Sequence, residues 1–579
     1  MSWNSYPRPQ MKRDLFYIIK ENWTLNGRPI RVPYVPQSEL SGYEGEAGST
    51  HTYETVFTVP ETFTKERLLL HFGAVDQLAE VWLNDVLIGN HEGGYLSFTL
   101  DITEGVKRDA DNHLVVKVTD ELNKDYPYGK QCVKRGGMWY TPTSGIWQNV
   151  WIENVPGHYI ESVKITPDLE GVALEVCLSE SLEIKKKPGE DLGVPDESKE
   201  GSEDVETKIS AKIILHTGEI VTKTFEGEGP FYIALTEFKG IDGNPYEPKL
   251  WSTEEPYLYT MRITAGEDLV ETYFALRTIE IKEIDGIQRV CLNRKPIFMH
   301  GVLDQGYYSD GIFLPAEEEE YERDILRMKE LGFNMLRKHI KIEPDCFYYY
   351  CDKHGMLVMQ DMVNSGEYSF IRDTALPTIG FKKKRDKTAG TSKREKFFIA
   401  HMEGTIKQLY NHPCIVAYTI FNEGWGQFNS DEMYDRVKEL DGTRLVDSTS
   451  GWFVQKKNDF DSEHIYFRTK KLRIKKRPMF VSECGGYSLA VEGHLFNPEK
   501  AYGYGKTKDS HELTETIAHM YRKMLKPAIV MGACGCIYTQ LSDVEDEING
   551  LYTYDRKVCK VETELMREVA EELYAEIES

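Results

Sequence analysis

The stretch Ile415–Trp425, with the sequence IVAYTIFNEGW, decides the fold class of this chain. It is an apolar run that ends abruptly in an amide, a carboxylate and a glycine at Asn422, Glu423 and Gly424. A continuous apolar run is typical of a parallel strand that is buried on both faces. Polar residues at its end are typical of the carboxyl end of a strand in a (β/α)8 barrel, where such barrels hold their chemistry. The stretch therefore predicts one barrel strand and one functional carboxylate.

A second stretch of the same design, Pro478–Gly486 (PMFVSECGG), lies downstream and delivers Glu483 at its end. Two strands that each present one glutamate at the same mouth predict acid/base and nucleophilic chemistry by carboxylates. The most familiar case is the cleavage of glycosidic bonds, in which one carboxyl group protonates the leaving oxygen and the other attacks the anomeric carbon. We therefore predict Glu423 and Glu483 as the catalytic pair.

From about residue 286 onward, strand-like runs alternate with helical patterns, which indicates an α/β architecture. Eight strands can be counted, the number that a closed (β/α)8 barrel needs. On this count Glu423 closes strand four and Glu483 closes strand seven, so the two can face each other across the mouth. The predicted strands are Ile297–Asp304, Phe333–His339, Leu357–Met362, Ile415–Glu423, Arg444–Gly451, Ser462–Phe467, Met479–Cys484 and Ala533–Gln540.

The chain of 579 residues is too long for one core, and the pattern before the barrel is all-β. Residues 1–155 carry short strands and turn signals at the spacing of a jelly-roll sandwich. Residues 156–285 have the size of an immunoglobulin-like sandwich, interrupted at 185–207 by a charged insert. Residues 286–579 then form the barrel. The first domain also contains an aromatic loop, Gly136–Trp147, which either packs in an interface or contributes to a binding site.

Several polar residues are predicted to point into the barrel mouth beside the glutamates. Asn422 offers an amide to a sugar hydroxyl, Arg337 at the end of strand two could keep Glu483 ionised, and Tyr466 at the end of strand six could donate a hydrogen bond to it. As single residues these are as well explained by caps or salt bridges, so the prediction rests on the set. The further predicted binding residues are Asp304, His339, Asp361, Trp452 and His464.

The amino-acid composition and charge restrict the classes of binding partner that the protein can have. The net charge of −24 argues against a nucleic-acid or anionic-membrane partner. The first residues show no basic-then-apolar pattern, no apolar run approaches membrane-spanning length, and the ten cysteines are irregularly spaced, so we expect a cytoplasmic protein with reduced thiols. Two basic segments, 382–387 and 470–477, either approach an anionic sugar or are ordinary solvated loops.

The chain resembles glycoside hydrolase family 2, the family of β-galactosidases, β-glucuronidases and β-mannosidases. The resemblance covers nearly the whole chain, and its most specific part is Asn411–Glu423, which implies that Glu423 is the acid/base. Phe480–Glu483 is similar to the nucleophile strand of the family, and Arg337 and Tyr466 fall where the family keeps an arginine and a tyrosine. The other matching segments are Phe72–Asp76, Val81–Asn84, Gly93–Tyr95, Leu250–Tyr259, Phe274–Arg277 and Leu292–Val302.

The departures from the family concern the substrate. β-Glucuronidases carry an Asn-x-Lys element that grips the sugar carboxylate, whereas the similar place here reads Glu547-Ile548-Asn549. Trp139 occupies the stretch where many relatives place a sugar-contacting aspartate, and Tyr538 occupies the position of the tryptophan that ends strand eight in the family. The resemblance implies an exo-acting, retaining β-glycosidase without a cofactor or metal, with a β-galactoside as the first choice of substrate and a uronide as the second. From the resemblance we also expect a homo-oligomer, either a dimer or a tetramer. The rival hypothesis is a non-catalytic carbohydrate-binding protein.

Overall fold

The computed structural model describes residues 3–180, 208–240, 243–378, 380–381, 386, 392–466 and 469–578. The charged insert 185–207 lies outside the described residues, as does the basic segment 382–387 apart from Asp386. The fold class predicted from the sequence is confirmed: two β-sandwiches are followed by a barrel of eight parallel strands.

The N-terminal sandwich packs a four-stranded sheet, in the order β1-β12-β5-β9, against a six-stranded sheet in the order β3-β2-β4-β10-β7-β8. Alternating burial along Thr50–Phe57 and Asn112–Thr119 shows why these segments are strands, since one face of each meets the core and the other meets solvent. The strands are β1 (Phe16–Ile18), β2 (Thr24–Leu25), β3 (Arg28–Pro29), β4 (Thr50–Phe57), β5 (Arg67–Phe72), β6 (Val75–Asp76), β7 (Leu78–Leu83), β8 (Val86–Glu92), β9 (Phe98–Asp101), β10 (Asn112–Thr119), β11 (Gly145–Ile146) and β12 (Val150–Val155).

The middle sandwich has sheets in the order β13-β14-β17 and β16-β15-β18-β19, around a core of its own. A three-stranded antiparallel sheet then leads into the barrel. The strands are β13 (Ile160–Pro167), β14 (Gly171–Leu178), β15 (Lys208–Ile214), β16 (Ile220–Glu226), β17 (Phe231–Ala234), β18 (Tyr259–Ala265), β19 (Asp268–Phe274), β20 (Ile279–Ile284), β21 (Ile287–Leu292) and β22 (Lys295–Pro296).

The barrel strands are hydrogen-bonded in the order β27-β26-β25-β24-β23-β32-β29-β28. Strands five and six, which end this order, are linked by side chains: Ser450 Oγ lies 2.9 Å from His464 Nε2, and Gly451 N donates to Ser462 Oγ at 3.3 Å. The barrel strands are β23 (Met299–Asp304), β24 (Met335–Lys338), β25 (Leu357–Asp361), β26 (Ile415–Asn422), β27 (Leu445–Ser450), β28 (Asp461–Tyr466), β29 (Met479–Gly485) and β32 (Ala533–Tyr538), with β30 (Tyr487–Ser488) and β31 (Gly505–Lys506) paired outside the barrel.

Local signals in the sequence set the helix ends. Ser392 and Glu395 form a capping box at the start of the helix after strand three, and Gly355 ends an earlier helix in the left-handed conformation. None of the described helices combines the length and the apolar character needed to cross a membrane. The helices are α1 (Glu319–Glu330), α2 (Asp345–His354), α3 (Lys393–Leu409), α4 (Ser430–Leu440), α5 (Ser510–Met520) and α6 (Thr563–Glu578), with a π-helical turn at Phe370–Ala375 before α3 and another at Tyr521–Leu525 after α5.

The barrel core continues into the two sandwiches. Trp147 and Trp251, from the first and the middle domain, are fully buried in the same cluster as the barrel strands. Trp251 donates its indole N–H to the carbonyl of Asp352 on α2 at 2.7 Å. The sandwiches are therefore fixed against the barrel rather than joined to it by exposed linkers.

All ten cysteines are free thiols; most are buried, although Cys177 is exposed.

Candidate active site

Glu423 follows β26 at the carboxyl end of the barrel. All eight residues of Ile415–Asn422 are buried, so the strand is held on both faces and its end is fixed in place. The backbone of Glu423 has a φ of 52°, an unusual conformation for a residue with a side chain, and its N–H donates to the carbonyl of Ser450 at 3.1 Å. The structure thus turns the carboxyl group of Glu423 out of the strand direction and into the mouth.

Glu483 lies within β29 and points to the same mouth. Its carboxylate accepts hydrogen bonds from Arg337 Nη1 at 3.1 Å and from the hydroxyl of Tyr466. Burial raises the pKa of Glu483, but interactions with His464 and Arg337 outweigh it and lower the pKa to about 2. Glu483 is therefore an ionised carboxylate at neutral pH.

The two glutamates are close together, with His464 between them. A carboxylate oxygen of Glu423, a ring nitrogen of His464 and a carboxylate oxygen of Glu483 all lie within 4.8 Å of one another. His464 Nδ1 is 2.9 Å from Glu423 Oε1, and His464 Nε2 is 3.6 Å from Glu483 Oε1. The other oxygen of Glu423 accepts from Thr374 Oγ1 at 3.2 Å. The mouth of the barrel thus contains a compact pair of carboxyl groups with different partners.

Arg337 organises the side of the site that carries Glu483. Its Nη1 donates to the carbonyl of Ser482 as well as to Glu483, and its Nη2 donates to Asn422 Oδ1 at 3.0 Å. Its Nε donates to both oxygens of Asp361 at 3.0 and 3.1 Å. One guanidinium therefore ties strands three, four and seven to strand two and supplies the positive charge that two buried carboxylates need.

Tyr466 remains a hydrogen-bond donor to Glu483. Burial raises the pKa of Tyr466 well above its usual value, and the charge of Glu483 raises it further.

His339 lies beside Asp361, and its Nδ1 is 2.7 Å from Asp361 Oδ2. Burial lowers the pKa of this histidine, so it is neutral at neutral pH.

Three residues of the predicted set lie beneath the carboxylates, and the predicted contact between Arg337 and Glu483 is present. The side chains of Arg337, Asp361 and His464 are at most 1% exposed, because each is packed against Glu423, Glu483 or a direct partner of these two. Their polar contacts join them to the two glutamates or to each other. Asn422, His339, Trp452 and Tyr466 keep a small exposed surface at the mouth.

Two predicted binding residues are not brought to the pair. Asp304 is held by Lys338 Nζ at 2.5 Å and by the N–H of Gly306 at 2.8 Å, so both of its oxygens are engaged in a buried ion-pair network. Tyr538 is fully buried, because its ring packs against Gly485, where a side chain would clash with it. The structure therefore places Tyr538 in the core and Asp304 in an ion-pair network beside Lys338.

Other residues of the site were not predicted. Tyr504 stacks on Tyr466 with ring centroids 4.3 Å apart, and Ser450 and Thr374 contact His464 and Glu423. The aromatic pair Tyr502 and Tyr504 follows strand seven, a position that could have suggested a role. Nothing in the sequence around Thr374 marks it, since it reaches the site from a π-helical turn.

The aromatic loop of the first domain packs on the barrel and reaches the mouth. Tyr140 donates its hydroxyl hydrogen to Glu547 at 2.6 Å, and the N–H of Thr141 donates to Glu545 at 2.9 Å. Trp139 meets Trp425, two residues after Glu423, edge to face at 5.2 Å. The loop thus packs in the interface between the first domain and the barrel, and its contribution to a binding site stays a prediction.

Lys130 is a cation that the first domain brings near the site. It is only 9% exposed, its Nζ lies 5.7 Å from the ring centre of Trp139, and its charge acts on His339 and Glu547. No carboxylate of the described residues lies within ion-pair distance of it.

Two contacts locate the second basic segment, 470–477. Ile474 lies beside Gly532, which precedes strand eight at the opposite end of the barrel, and Lys470 pairs with Glu463. Of the first basic segment only Asp386 is described, and it binds Gln427 and Ser430. Within the described residues the one cluster with the spacing of metal ligands is Glu423, His464 and Glu483, in which His464 Nδ1 is already at hydrogen-bond distance from Glu423.

Family models match all three parts of the chain. Residues 26–145 match the model described as glycosyl hydrolase 2 galactose-binding domain-like, residues 158–277 match glycosyl hydrolases family 2, and residues 281–529 match the TIM barrel domain of glycosyl hydrolases family 2.

Curated relatives and solved structures agree with these matches. A β-galactosidase of Thermoanaerobacter pseudethanolicus is 25% identical over 474 residues, which cover 78% of this chain and 54% of the relative. A putative β-glucuronidase of Formosa agariphila is 25% identical over 469 residues, which cover 75% of this chain and 50% of the relative. The chain spans about half the length of these curated relatives.

Two solved structures share the fold over almost their whole length. A β-glucuronidase from an uncultured Clostridium species has a TM-score of 0.71 at 19% identity and covers 97% of this chain and 99% of its own. A β-galacturonidase of Eisenbergiella tayi has a TM-score of 0.67 at 16% identity and covers 98% and 99%. With three family models matched in order along the sequence, the chain belongs to glycoside hydrolase family 2.

Proposed function

We propose that the protein is a retaining exo-β-glycosidase that removes terminal β-linked sugars by double displacement. The observation that carries the proposal is the distance between the carboxyl groups: an oxygen of Glu423 and one of Glu483 lie within 4.8 Å of each other. Retaining enzymes hold their carboxyl groups about 5–5.5 Å apart, whereas inverting enzymes leave about 6.5–9.5 Å for a water molecule.

The roles of the two glutamates follow from their surroundings. Glu483 is ionised and oriented by Arg337 and Tyr466, as an attacking nucleophile must be. Glu423 has no arginine or lysine partner among the described residues, and a hydroxyl and an imidazole contact it instead. It is the group that protonates the leaving oxygen and later takes a proton from water.

The catalytic cycle then has two steps. Glu483 attacks the anomeric carbon while Glu423 gives its proton to the glycosidic oxygen, and a glycosyl ester forms on Glu483. Water, deprotonated by Glu423, next attacks the same carbon and releases the sugar with its original configuration. Asn422, fixed by Arg337, is placed to hold a sugar hydroxyl beside the nucleophile.

A β-galactoside is our first choice of substrate, supported by the names of the similar curated proteins. A panel of nitrophenyl β-glycosides (galactoside, glucuronide, glucoside, mannoside, fucoside and galacturonide) tests it with the wild type and Glu483→Gln. One sugar should be hydrolysed by the wild type only, and proton NMR should show the β-anomer first. An α-anomer as first product would overturn retention, and binding without turnover of any glycoside would favour a carbohydrate-binding protein.

A uronide is the second candidate, and Lys130 is the observation that favours it. A nearly buried lysine without an ion-pair partner is costly unless an anion completes it, and a sugar carboxylate would do so. Lys130→Met should then lower kcat/KM for a uronide by about 10- to 100-fold, the worth of one charge-assisted hydrogen bond. The exposed Lys134→Met, in the same loop, is the matched control. An unchanged kcat/KM for the uronide in Lys130→Met would rule out this grip.

A further inference from the structure

His464 stands between the two catalytic carboxyl groups. It lies on β28, its side chain is fully buried, and its two ring nitrogens have different partners. Nδ1 is 2.9 Å from Glu423 Oε1, and Nε2 is 2.9 Å from Ser450 Oγ and 3.6 Å from Glu483 Oε1. One imidazole thus contacts the acid/base directly and the nucleophile at a longer distance.

The ring is held firmly in this position. Trp452 meets it edge to face at 5.2 Å, and a side chain at Gly451, whose φ is 90°, would come within 2.8 Å of the ring. The titratable and charged groups that face or influence the ring come from five barrel strands and are Glu423, Glu483, Tyr466, Asp447 and Arg337. Of these, Glu423 is the carboxyl group at hydrogen-bond distance from the imidazole.

The proposed function requires one proton on Glu423 and none on Glu483 when substrate binds. With an N–O distance of 2.9 Å, the same proton can lie on Glu423 with a neutral His464, or on Nδ1 of His464 with an ionised Glu423. Both arrangements have the same total charge and differ in whether the pair is neutral or an ion pair.

We propose that His464 is a positioning residue that shares the acid proton with Glu423. This inference rests on the proposed retaining mechanism. The shared proton passes to Glu423 and from its carboxyl group to the glycosidic oxygen, while the carbon–oxygen bond breaks and the bond to Glu483 forms, which leaves Glu423 ionised and His464 neutral. In the second step Glu423 takes a proton from water, the bond to Glu483 breaks, and the imidazole can again hold the proton. No electrons are transferred and no further reactant is needed.

A purely structural histidine would have different consequences. If His464 only packs in the mouth, its removal should slow all substrates alike through disorder of the site. If it shares the acid proton, its removal should slow only those substrates whose leaving group needs protonation, because a good leaving group departs without it. The ratio of kcat/KM for a poor and a good leaving group separates the two roles, since this parameter reports the step up to departure.

The experiment compares phenyl and 2,4-dinitrophenyl β-glycosides of the sugar found by the panel. His464→Asn keeps an amide that can bond to Glu423 but carries no titratable proton. Its kcat/KM should fall about 10- to 100-fold for the phenyl glycoside and change less than about threefold for the dinitrophenyl glycoside. Glu423→Gln should show the same pattern more strongly. The exposed His511→Asn should match the wild type on both.

The pH profile gives a second readout. Without the imidazole the shared proton has only one site, so the basic limb of kcat/KM for the phenyl glycoside should move to lower pH in His464→Asn. A histidine that merely donates an N–H to the Glu423 carboxylate would stabilise its ionised form, and its removal would move the limb to higher pH. Equal losses on both substrates, or a limb that stays or rises, would overturn the proposal.

A third measurement needs neither a folded His464 variant nor turnover. In wild type labelled with ¹⁵N-histidine, one buried imidazole should titrate together with a carboxyl group, and its signal should change in Glu423→Gln. Identical imidazole spectra and titrations in the two proteins would refute proton sharing, whereas failure of the wild type to hydrolyse any β-glycoside would refute the proposed function instead. The two failures are therefore distinguishable.

Discussion

Arg337 offers a sharp test of how the nucleophile is prepared. Arg337→Met removes the guanidinium and leaves Glu483 and Asp361 buried without their positive partner. A hydrogen bond to a charged group contributes about 1.5–3 kcal/mol, and each pKa unit corresponds to about 1.4 kcal/mol. The pKa of Glu483 should therefore rise from about 2 by about one to two units, and kcat/KM should fall about 10- to 100-fold.

The direction in which the pH profile should move follows from the lowered pKa of Glu483. A carboxyl group with a lowered pKa loses its charge only near pH 2, so the acid limb of kcat/KM in wild type is not set by Glu483 at moderately acidic pH. In Arg337→Met, protonation of the nucleophile should move the acid limb to higher pH. The assay is kcat/KM of a dinitrophenyl glycoside between pH 3 and pH 8, because that substrate needs no acid catalysis at the leaving oxygen.

A matched control separates this effect from lost stability. Arg444 is also buried and pairs with Asp441 at 2.9 Å. It donates to the carbonyl of Ile415, the first residue of β26, whereas Arg337 donates to Asn422, the last residue of the same strand. Both variants should lower the thermal midpoint, since breaking a buried pair costs about 3–5 kcal/mol. Only Arg337→Met should alter the pH profile. A profile equal to that of wild type would refute the electrostatic role of Arg337.

Two further predictions concern the same pair. Tyr466→Phe removes the hydroxyl donor to Glu483 and should lower kcat/KM by about tenfold, with little change in thermal midpoint; activity equal to wild type would show that Arg337 alone orients the nucleophile. Dialysis against EDTA should leave kcat/KM unchanged, since the proposed mechanism uses Glu423 and Glu483 as metal-free carboxyl groups and His464 Nδ1 is at hydrogen-bond distance from Glu423; lost activity restored by a divalent cation would contradict this.

The barrel could be read from the sequence because its strands are long apolar runs that end in polar residues. Ile415–Glu423 was predicted and Ile415–Asn422 is the strand, and the other seven differ at their ends by two residues or fewer. Periodicity reports burial, and burial is what a parallel strand imposes on its sequence. The domain boundaries at 155 and 285 and the homo-oligomer stay predictions.

The contacts inside the mouth were harder to predict. Which side chain meets which depends on the stagger of neighbouring strands: the ladder between β28 and β29 is irregular between Ser462 and His464, and this sets His464 opposite Glu483 in the register. Asp304 ends strand one as predicted, but its ion pair with Lys338, one strand over, could not be predicted from the sequence. Thr374 comes from a π-helical turn that no periodic pattern announces. Strand positions follow from composition, whereas pairwise contacts follow from register.

The central claim, that Glu483 is the nucleophile of a retaining glycosidase, is tested most directly by trapping the covalent intermediate. Wild type is incubated with the 2,4-dinitrophenyl 2-deoxy-2-fluoro-β-glycoside of the sugar hydrolysed in the panel, then digested and analysed by mass spectrometry. The account predicts one label per chain, on the peptide of β29 at Glu483, and none in Glu483→Gln. A label on Glu423, or turnover of the substrate without any covalent label, would contradict it.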